Sequence, residues 1–520
     1  MRIVAFFVFC CFFFSCQERS VDSNLAIFKY NESAGISSLD PAFSKDQANI
    51  WATSQLFNGL VQLDKDLNVT PAIASHWQVS DDNLNYTFYL RKDVYFHVHE
   101  LFPDLNSRQV KANDFSYSFS RLKDPKLASP GAWVLNNVGS YSAVNDSVFQ
   151  ISLKSPFPPF LGLLSMPYCS VVPKVIVENR AFRDEPVGTG PFKFQFWKEN
   201  VKLVLRKNKD YFEKDLPHLD AVAVTFIKDK QTAFLEFIKG NLDFISGLDA
   251  SYKDEVLTRA GELQDFYKDK INLQSLPYLN TEYLGFLMDD NNLSPSQQLS
   301  VRKAINYGFD RSKMIKYLRN NIGEPAEFGF VPKGLPSFSE EVKGYTYQPK
   351  LAKEFIEKAN LDDNHQLVLH TTSSYVDICE FIQNQLQELG LNLQISISPP
   401  STHRQMVATS KLDFFRGSWI ADYADAENYL ALFYSENFCP NGPNYTHFSS
   451  DAYDRLYERA REENNIQQRN ILYQKMDQII MDNAAVVPLY YDQVLRFVQK
   501  DIQGFEGNAM NMLNLKRVIK

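Results

Sequence analysis

The 520 residues are 44% hydrophobic and 14% aromatic, more apolar side chain than one core accommodates, and about three domains are expected. A net charge of -8 lacks the basic surplus of a nucleic-acid binder and excludes nucleic acid as the ligand. Three of the six cysteines fall within the first sixteen residues; Cys169, Cys379 and Cys439 remain, an odd set that permits one disulfide at most, so a core must hold the fold.

The opening segment, MRIVAFFVFCCFFFSC, sets one basic residue before an apolar run too short to span a bilayer and reads as a secretory leader. Its end on Ser15-Cys16 resembles a bacterial lipobox, in which the cysteine is lipidated and becomes the mature N-terminus. The alternative is ordinary cleavage with Cys16 as a bystander. A diacyl anchor at roughly 0.8 kcal/mol per buried methylene would hold the protein stably to a membrane. An extracytoplasmic, lipid-anchored body is therefore expected.

In chain order, a short strand and the turn LDPAFSKD follow Leu25. Helical spacing of Trp51, Leu56 and Leu60 predicts a helix through ANIWATSQLFNGLVQL, weakened at Gly59. Tyr86, Phe88 and Leu90 alternate as in a strand, and VKANDFSYSFSRLKD reads as a helix capped by Asn113. The turn EPVGTGP feeds two alternating strands, Phe192 to Trp197 and Val201 to Arg206, a hairpin. DAVAVTFI, a helix stopped by Gly240, and LDFIS form a strand-helix-strand unit with a right-handed crossover expected.

Ser294, Pro295 and Gln297 carry a helix-start signature ahead of QLSVRKAINYGF. HQLVLHTT, YVDICEFIQNQLQELG and LNLQISIS repeat the strand-helix-strand plan, with Gly390 at the helix end. The strand KLDFFRGSWI leads into the loop ADYADA. Helices with Tyr453, Leu456, Tyr457, Leu472, Met476 and Ile479 at core spacing follow, and AAVVPLYYDQVLRFV closes the chain as a strand.

Reactive constellations are sparse. There is no nucleophile elbow, no phosphate-cradling Gly-Lys-Ser/Thr loop and no His-Glu-x-x-His. Gly188-Thr189-Gly190 runs into Pro191 and a strand, without the helix N-terminus that would hold a phosphate. His97 and His99 in FHVHE would project from one face of a strand and could share a cation, whereas Glu100 would point the other way unless the strand ends there, and no third ligand is evident nearby; the alternative is an exposed loop at a strand end. Asp422 and Asp425 could act as acid and base, or Asp425 could accept amides at the start of AENYLALF.

Several motifs occur together and in order: ASHWQVSDDNLNYTFYLRKDVYF, VKANDFSYSFSRLKDP, PVGTGPFKFQFW with LRKNKDYF, FLEFIKGNLDF, LSVRKAINYGFDRSKMI and SWIADYADAENYL. From about Leu25 to the end the chain resembles the extracytoplasmic solute-binding proteins of family 5, the oligopeptide, dipeptide and nickel receptors of ABC importers. The resemblance implies an α/β, two-lobed periplasmic-binding-protein-like fold with a small α+β domain inserted in the first lobe. The implied division is a leader at 1–16, lobe I from 17–50, 186–275 and 485–520, the inserted domain at 51–185, and lobe III at 276–484.

In that family Arg-x-x-Trp-x-x-Asp lies on the inter-lobe face, here Arg416, Trp419 and Asp422. The resemblance assigns Asp422 to the ligand's α-ammonium, the backbone at Ser418 and Trp419 to a peptide added as a strand, and Arg416 to a short peptide's carboxylate. Trp419 as core, and Arg416 paired with Asp413 or Asp422, are the alternatives. Ser246 and Gly247 after LDFI would leave room at the pocket edge. Departures are Val376 and Val407 where basic groups are usual, with Arg404 close by; Gly131 where a tyrosine is common; and the insert HELFPDLNSRQ.

The expectation is thus a monomeric receptor without catalysis, cofactor or resident metal, handing peptides to an ABC permease. Alternatives are a nickel chelate, a haem-like molecule or a cell-wall peptide in the same cleft, a membrane-anchored metallohydrolase using His97 and His99, or a sensor signalling closure to a membrane kinase or chemoreceptor.

Overall fold

Alternating apolar residues build one sheet that runs through both lobes in the computed structural model, which describes residues 25–247, 252–288, 296, 298–362 and 366–520. Cys16, Ser294, Pro295 and Gln297 lie outside these residues. The first half contributes β1 (Ile27–Asn31), β2 (Val61–Leu63), β3 (Val69–Pro71), β4 (Ala74–Val79), β5 (Asn85–Leu90), β6 (Val138–Asn145) and β7 (Val148–Leu153). Next come β8 (Phe192–Lys198), β9 (Lys202–Lys207), β10 (Ala221–Thr225), β11 (Phe244–Ser246) and β12 (Ile271–Phe286). The second half adds β13 (Glu324–Pro325), β14 (Leu367–Thr371), β15 (Leu393–Ile397), β16 (Phe414–Ile420) and β17 (Val486–Gln499).

The large sheet has the order β15-β14-β16-β12-β17-β11-β1-β10-β9-β8, with β13 on β17. The inserted domain has its own sheet, β4-β5-β7-β6. Both strand-helix-strand units form as expected. β10 and β11 flank β1 and run parallel to it, while β14 and β15 pair directly in parallel around the helix Val376–Glu388. The first four residues of β10 are all buried, as befits a strand covered on both faces.

Two strands carry the chain between lobes. β12 is 16 residues long and β17 is 14, and they pair antiparallel along most of their lengths. The end of β17, paired with the start of β12, lies beside β11, whereas the end of β12 pairs with β16. Their register breaks between Pro277 and Thr281 and again between Glu282 and Tyr283; Pro277 has no N–H to donate to a ladder. The buried cores divide accordingly. One pair is built from residues before 272 and after 494, the other from residues 279 to 490, with Leu67 and Tyr423 as the residues that cross over.

Three local expectations are corrected. The first helix, Gln47–Leu56, ends at an extended Phe57, and Val61 to Leu63 are strand, so Leu60 lies beyond the helix. Asn113 sits inside the helix Ala112–Leu122 and does not cap it; the Asp114 carboxylate closes that end by accepting from Lys111 N at 2.8 Å. FHVHE is neither a cation site nor an exposed loop at His97. That ring is buried, its Nε2 donates to Gly190 O at 3.0 Å and its Nδ1 accepts from Gly188 N at 3.2 Å. Burial pushes its pKa down to about 4, so it is neutral. His99 Nδ1 accepts from Leu101 N, and among the described residues no three His, Cys, Asp or Glu side chains converge for a metal.

The loop that His97 holds explains Gly188-Thr189-Gly190. Gly190 N donates to Leu56 O at 2.8 Å, and a Cβ would lie 2.0 Å from Leu56 O at Gly188 and 2.4 Å from Leu56 C at Gly190. The glycines permit the loop to cross the end of the first helix. Cys169, Cys379 and Cys439 are free and buried. Among the described residues no helix is long and apolar enough to cross a membrane.

Candidate functional site

β16 is apolar at Phe414 and Phe415, which enter the core of the second lobe, and becomes polar toward its exit. It pairs with β12 through Leu284↔Arg416, Glu282↔Ser418, Thr281↔Trp419 and Asn280↔Ile420. On its other side it meets β14 at one position, His370↔Phe415. Beyond Phe415 that edge has no strand neighbour among the described residues, and of its carbonyls Arg416 O accepts from His403 Nε2 at 2.8 Å. An extended ligand can add there as a strand.

Strand alternation sends Arg416 and Ser418 to one face, with Glu282 and Asn280, and Trp419 to the other. The Arg416 guanidinium pairs with the Glu282 carboxylate and lies 3.2 Å from the centre of the Tyr375 ring. These side chains are 9% and 3% exposed for Arg416 and Glu282, a dry ion pair. The carboxylate on Arg416 is therefore that of Glu282, and not Asp422. Asn280 Nδ2 continues the chain, donating to Glu282 Oε1 at 3.0 Å and to Asp492 Oδ2 at 3.2 Å. Asp492 Oδ1 in turn accepts from Arg319 Nη2 at 2.8 Å, and Arg319 stacks 4.3 Å from the centre of Tyr490. Burial raises the Glu282 carboxyl pKa, with Arg416 opposing it.

On the opposite face Trp419 is half-buried against the core of the second lobe, 6.4 Å and edge-on to Tyr445. Its Nε1 donates to Asn428 Oδ1 at 2.9 Å, which also accepts from Asp422 N at 3.2 Å. Asn428 thus pins the strand exit and fixes where Asp422 points. Asp422 keeps solvent exposure, and among the described residues no lysine or arginine forms an ion pair with it. Crowding by protein raises its carboxyl pKa. Burial first, and then the Asp422 charge, lift the Tyr168 hydroxyl to about 12. The Tyr168 ring occupies the space of a side chain at Gly131, where a Cβ would sit 2.2 Å from it.

The pair Asp422 and Asp425 is split. Asp425 Oδ1 accepts from Glu427 N at 2.9 Å at the start of the helix Glu427–Leu430, as expected for a helix-opening residue. Glu427 is buried and accepts from the hydroxyls of Tyr423 and Tyr457. Tyr423 also reaches across to Phe157 of the inserted domain, ring to ring at 6.4 Å. Asn464 Nδ2 donates to Asp81 O at 3.0 Å and Arg461 Nη2 to Ser155 Oγ at 3.5 Å, so the second lobe and the inserted domain touch.

Ser246 and Gly247 line a different cavity of about 210 Å³, with Asn31, Phe234 and Tyr252, and no residue of β16 contributes to it. Val407 is buried in the core of the second lobe, Val376 opens the helix Val376–Glu388, and Arg404 is exposed on Pro400–Ala408. The sequence reading missed Glu282, Asn280, Asp492, Arg319 and Tyr375. The available signal was Glu282 itself, a charge at an inward position of an otherwise apolar strand, TEYLGF.

Residues 68–438 match the bacterial extracellular solute-binding proteins, family 5, middle region. The chain is 26% identical over 532 residues to the dipeptide-binding protein DppE of Bacillus subtilis (strain 168), covering 96% of this chain and 93% of that one. Among solved structures, HbpA2 from Haemophilus parasuis is similar with a TM-score of 0.84 at 22% identity, covering 95% of this chain and 99% of that one. The periplasmic binding protein DppA from Helicobacter pylori, in complex with the peptide STSA, gives 0.75 at 26% identity, covering 95% and 98%. With its two lobes, inserted domain and matching middle region, the chain belongs to family 5 of the bacterial extracellular solute-binding proteins.

Proposed function

We propose that the protein is a lipid-anchored extracytoplasmic receptor that captures peptides between its lobes and delivers them to an ABC permease. The observation that carries this reading is Asp422, a carboxylate without a basic protein partner among the described residues, set at the exit of a strand whose outer edge is open. An α-ammonium at Asp422 makes a charge-assisted bond that strengthens as closure excludes water. The free edge beyond Arg416 accommodates the peptide backbone, which gives affinity without reading side chains. Trp419 walls the strand exit. DppE is a dipeptide-binding protein and Helicobacter pylori DppA is solved with the peptide STSA, which supports the ligand class.

Closure would rest on contacts from both lobes, since a ligand shifts the equilibrium only by binding one state better. On the division 17–50, 186–275 and 485–520 against 276–484, with 51–185 inserted, Asp422 belongs to the second lobe and a closing contact would come from the first. The anchor at Cys16 rests on the leader sequence. Mass spectrometry of small molecules that co-purify with the protein tests the ligand class. Intact peptides are expected, and recovery of a haem or a metal chelate in their place would overturn it.

A further inference from the structure

We propose that Glu282, with Asn280, sets the specificity of the β16 wall by neutralising Arg416, so that the wall takes a neutral amide of the ligand and rejects a carboxylate. This rests on the peptide reading for the source of the amide. A guanidinium clamps a carboxylate through two parallel N–H groups with a net positive charge behind them. At Arg416 the charge is compensated by Glu282 and the face is covered by Tyr375. Arg319, the other guanidinium of the cluster, is held by Asp492 and stacked on Tyr490.

Two buried atoms of this wall are left unpaired, one donor and one acceptor. Arg416 Nε is buried without a hydrogen-bond partner, and so is Asn280 Oδ1, in residues 8% and 4% exposed. The orientation of the Asn280 amide is fixed by its surroundings, because its Nδ2 faces two carboxylates that can only accept. A ligand that satisfies both atoms must offer an acceptor to Arg416 and a donor to Asn280. A main-chain amide or a carboxamide does so. A carboxylate cannot donate, and its charge would lie close to Glu282 in a poorly solvated wall. Unmet buried polar atoms discriminate strongly between ligands that pair with them and ligands that do not.

The test is calorimetric titration of the full protein with trialanine as the free acid and as the C-terminal amide. The wild type is expected to bind the amide at least tenfold tighter than the acid, and Glu282→Gln to shift the ratio at least tenfold toward the acid. A wild type that prefers the amide by less than about threefold, or prefers the acid, overturns the assignment, as does a Glu282→Gln protein with an unchanged ratio. Should Glu282→Gln fail to fold, the wild-type ratio decides alone. Should neither peptide bind the wild type, the peptide reading fails, and N-acetylglycine against its amide, followed at the Arg416 Nε–H magnetic resonance signal, still decides. The amide must then move that signal and the acid must not; any other pattern overturns the assignment.

Discussion

Replacing Asp422 by Asn isolates the charge at the strand exit. The scaffold should survive, because the backbone N of Asp422 is tied to Asn428 and no basic side chain among the described residues depends on the carboxylate. A hydrogen bond to a charged group contributes about 1.5–3 kcal/mol and a neutral one about 0.5–1.5, so the substitution should cost roughly 1–2 kcal/mol of ligand affinity. At 1.4 kcal/mol per tenfold, the upper end corresponds to a rise in Kd of about thirtyfold. The pH dependence carries a sign. Crowding raises the carboxyl pKa in the free protein, and a bound ammonium lowers it again. The ionised form therefore binds, and affinity falls by up to about tenfold per pH unit as pH drops through the raised free-protein pKa. Calorimetry with a free-amine peptide and its N-acetylated form, from neutral pH downward, reads both effects. Equal affinity of wild type and Asp422→Asn for the free-amine peptide would refute the reasoning, as would an equal loss for the acetylated peptide.

Three further outcomes follow from the packing. Gly190→Ala should lower stability by about 2–3 kcal/mol in chemical denaturation, since the new Cβ meets backbone at 2.4 Å that cannot swing aside. His97 binds its proton more weakly when folded, about 4 against 6.5, so stability should decline by about 3 kcal/mol as pH falls across that window. His97→Gln should flatten that decline in denaturant titrations at stepped pH. Tyr423→Phe keeps the ring against Phe157 but removes one of the two hydroxyls on buried Glu427, and a loss of about 1–3 kcal/mol in unfolding free energy is expected.

Local signals carried far in the sequence. The hairpin of β8 and β9, the units around β10–β11 and β14–β15, and the helix-opening role of Asp425 follow from alternation, helical spacing and a short-range amide bond, all of which act within a few residues. The partner of Arg416 did not follow, because Glu282 lies 134 positions away and reaches it by strand pairing. Trp419 and Arg416 share a motif but occupy opposite faces, since three steps along a strand reverse the side. His97 misled for a related reason. Two histidines two apart suggested a shared cation, whereas the first is consumed by a glycine loop 91 positions downstream. Ser246 and Gly247 were placed by their position after a strand, and the sheet carries them to another cavity.

The paired strands β12 and β17 have a mechanical meaning. Both crossings between the lobes lie in a single hydrogen-bonded ribbon, so the molecule flexes about one strap and not about two independent tethers. The register breaks near Pro277 and Glu282 mark where that strap is weakest against bending. Asn280 and Asp492 belong to this strap, whereas Asn464 and Arg461 hold the contact between the second lobe and the inserted domain. A change in the angle between the lobes would therefore have to pass through this one ribbon, whose two strands must bend together.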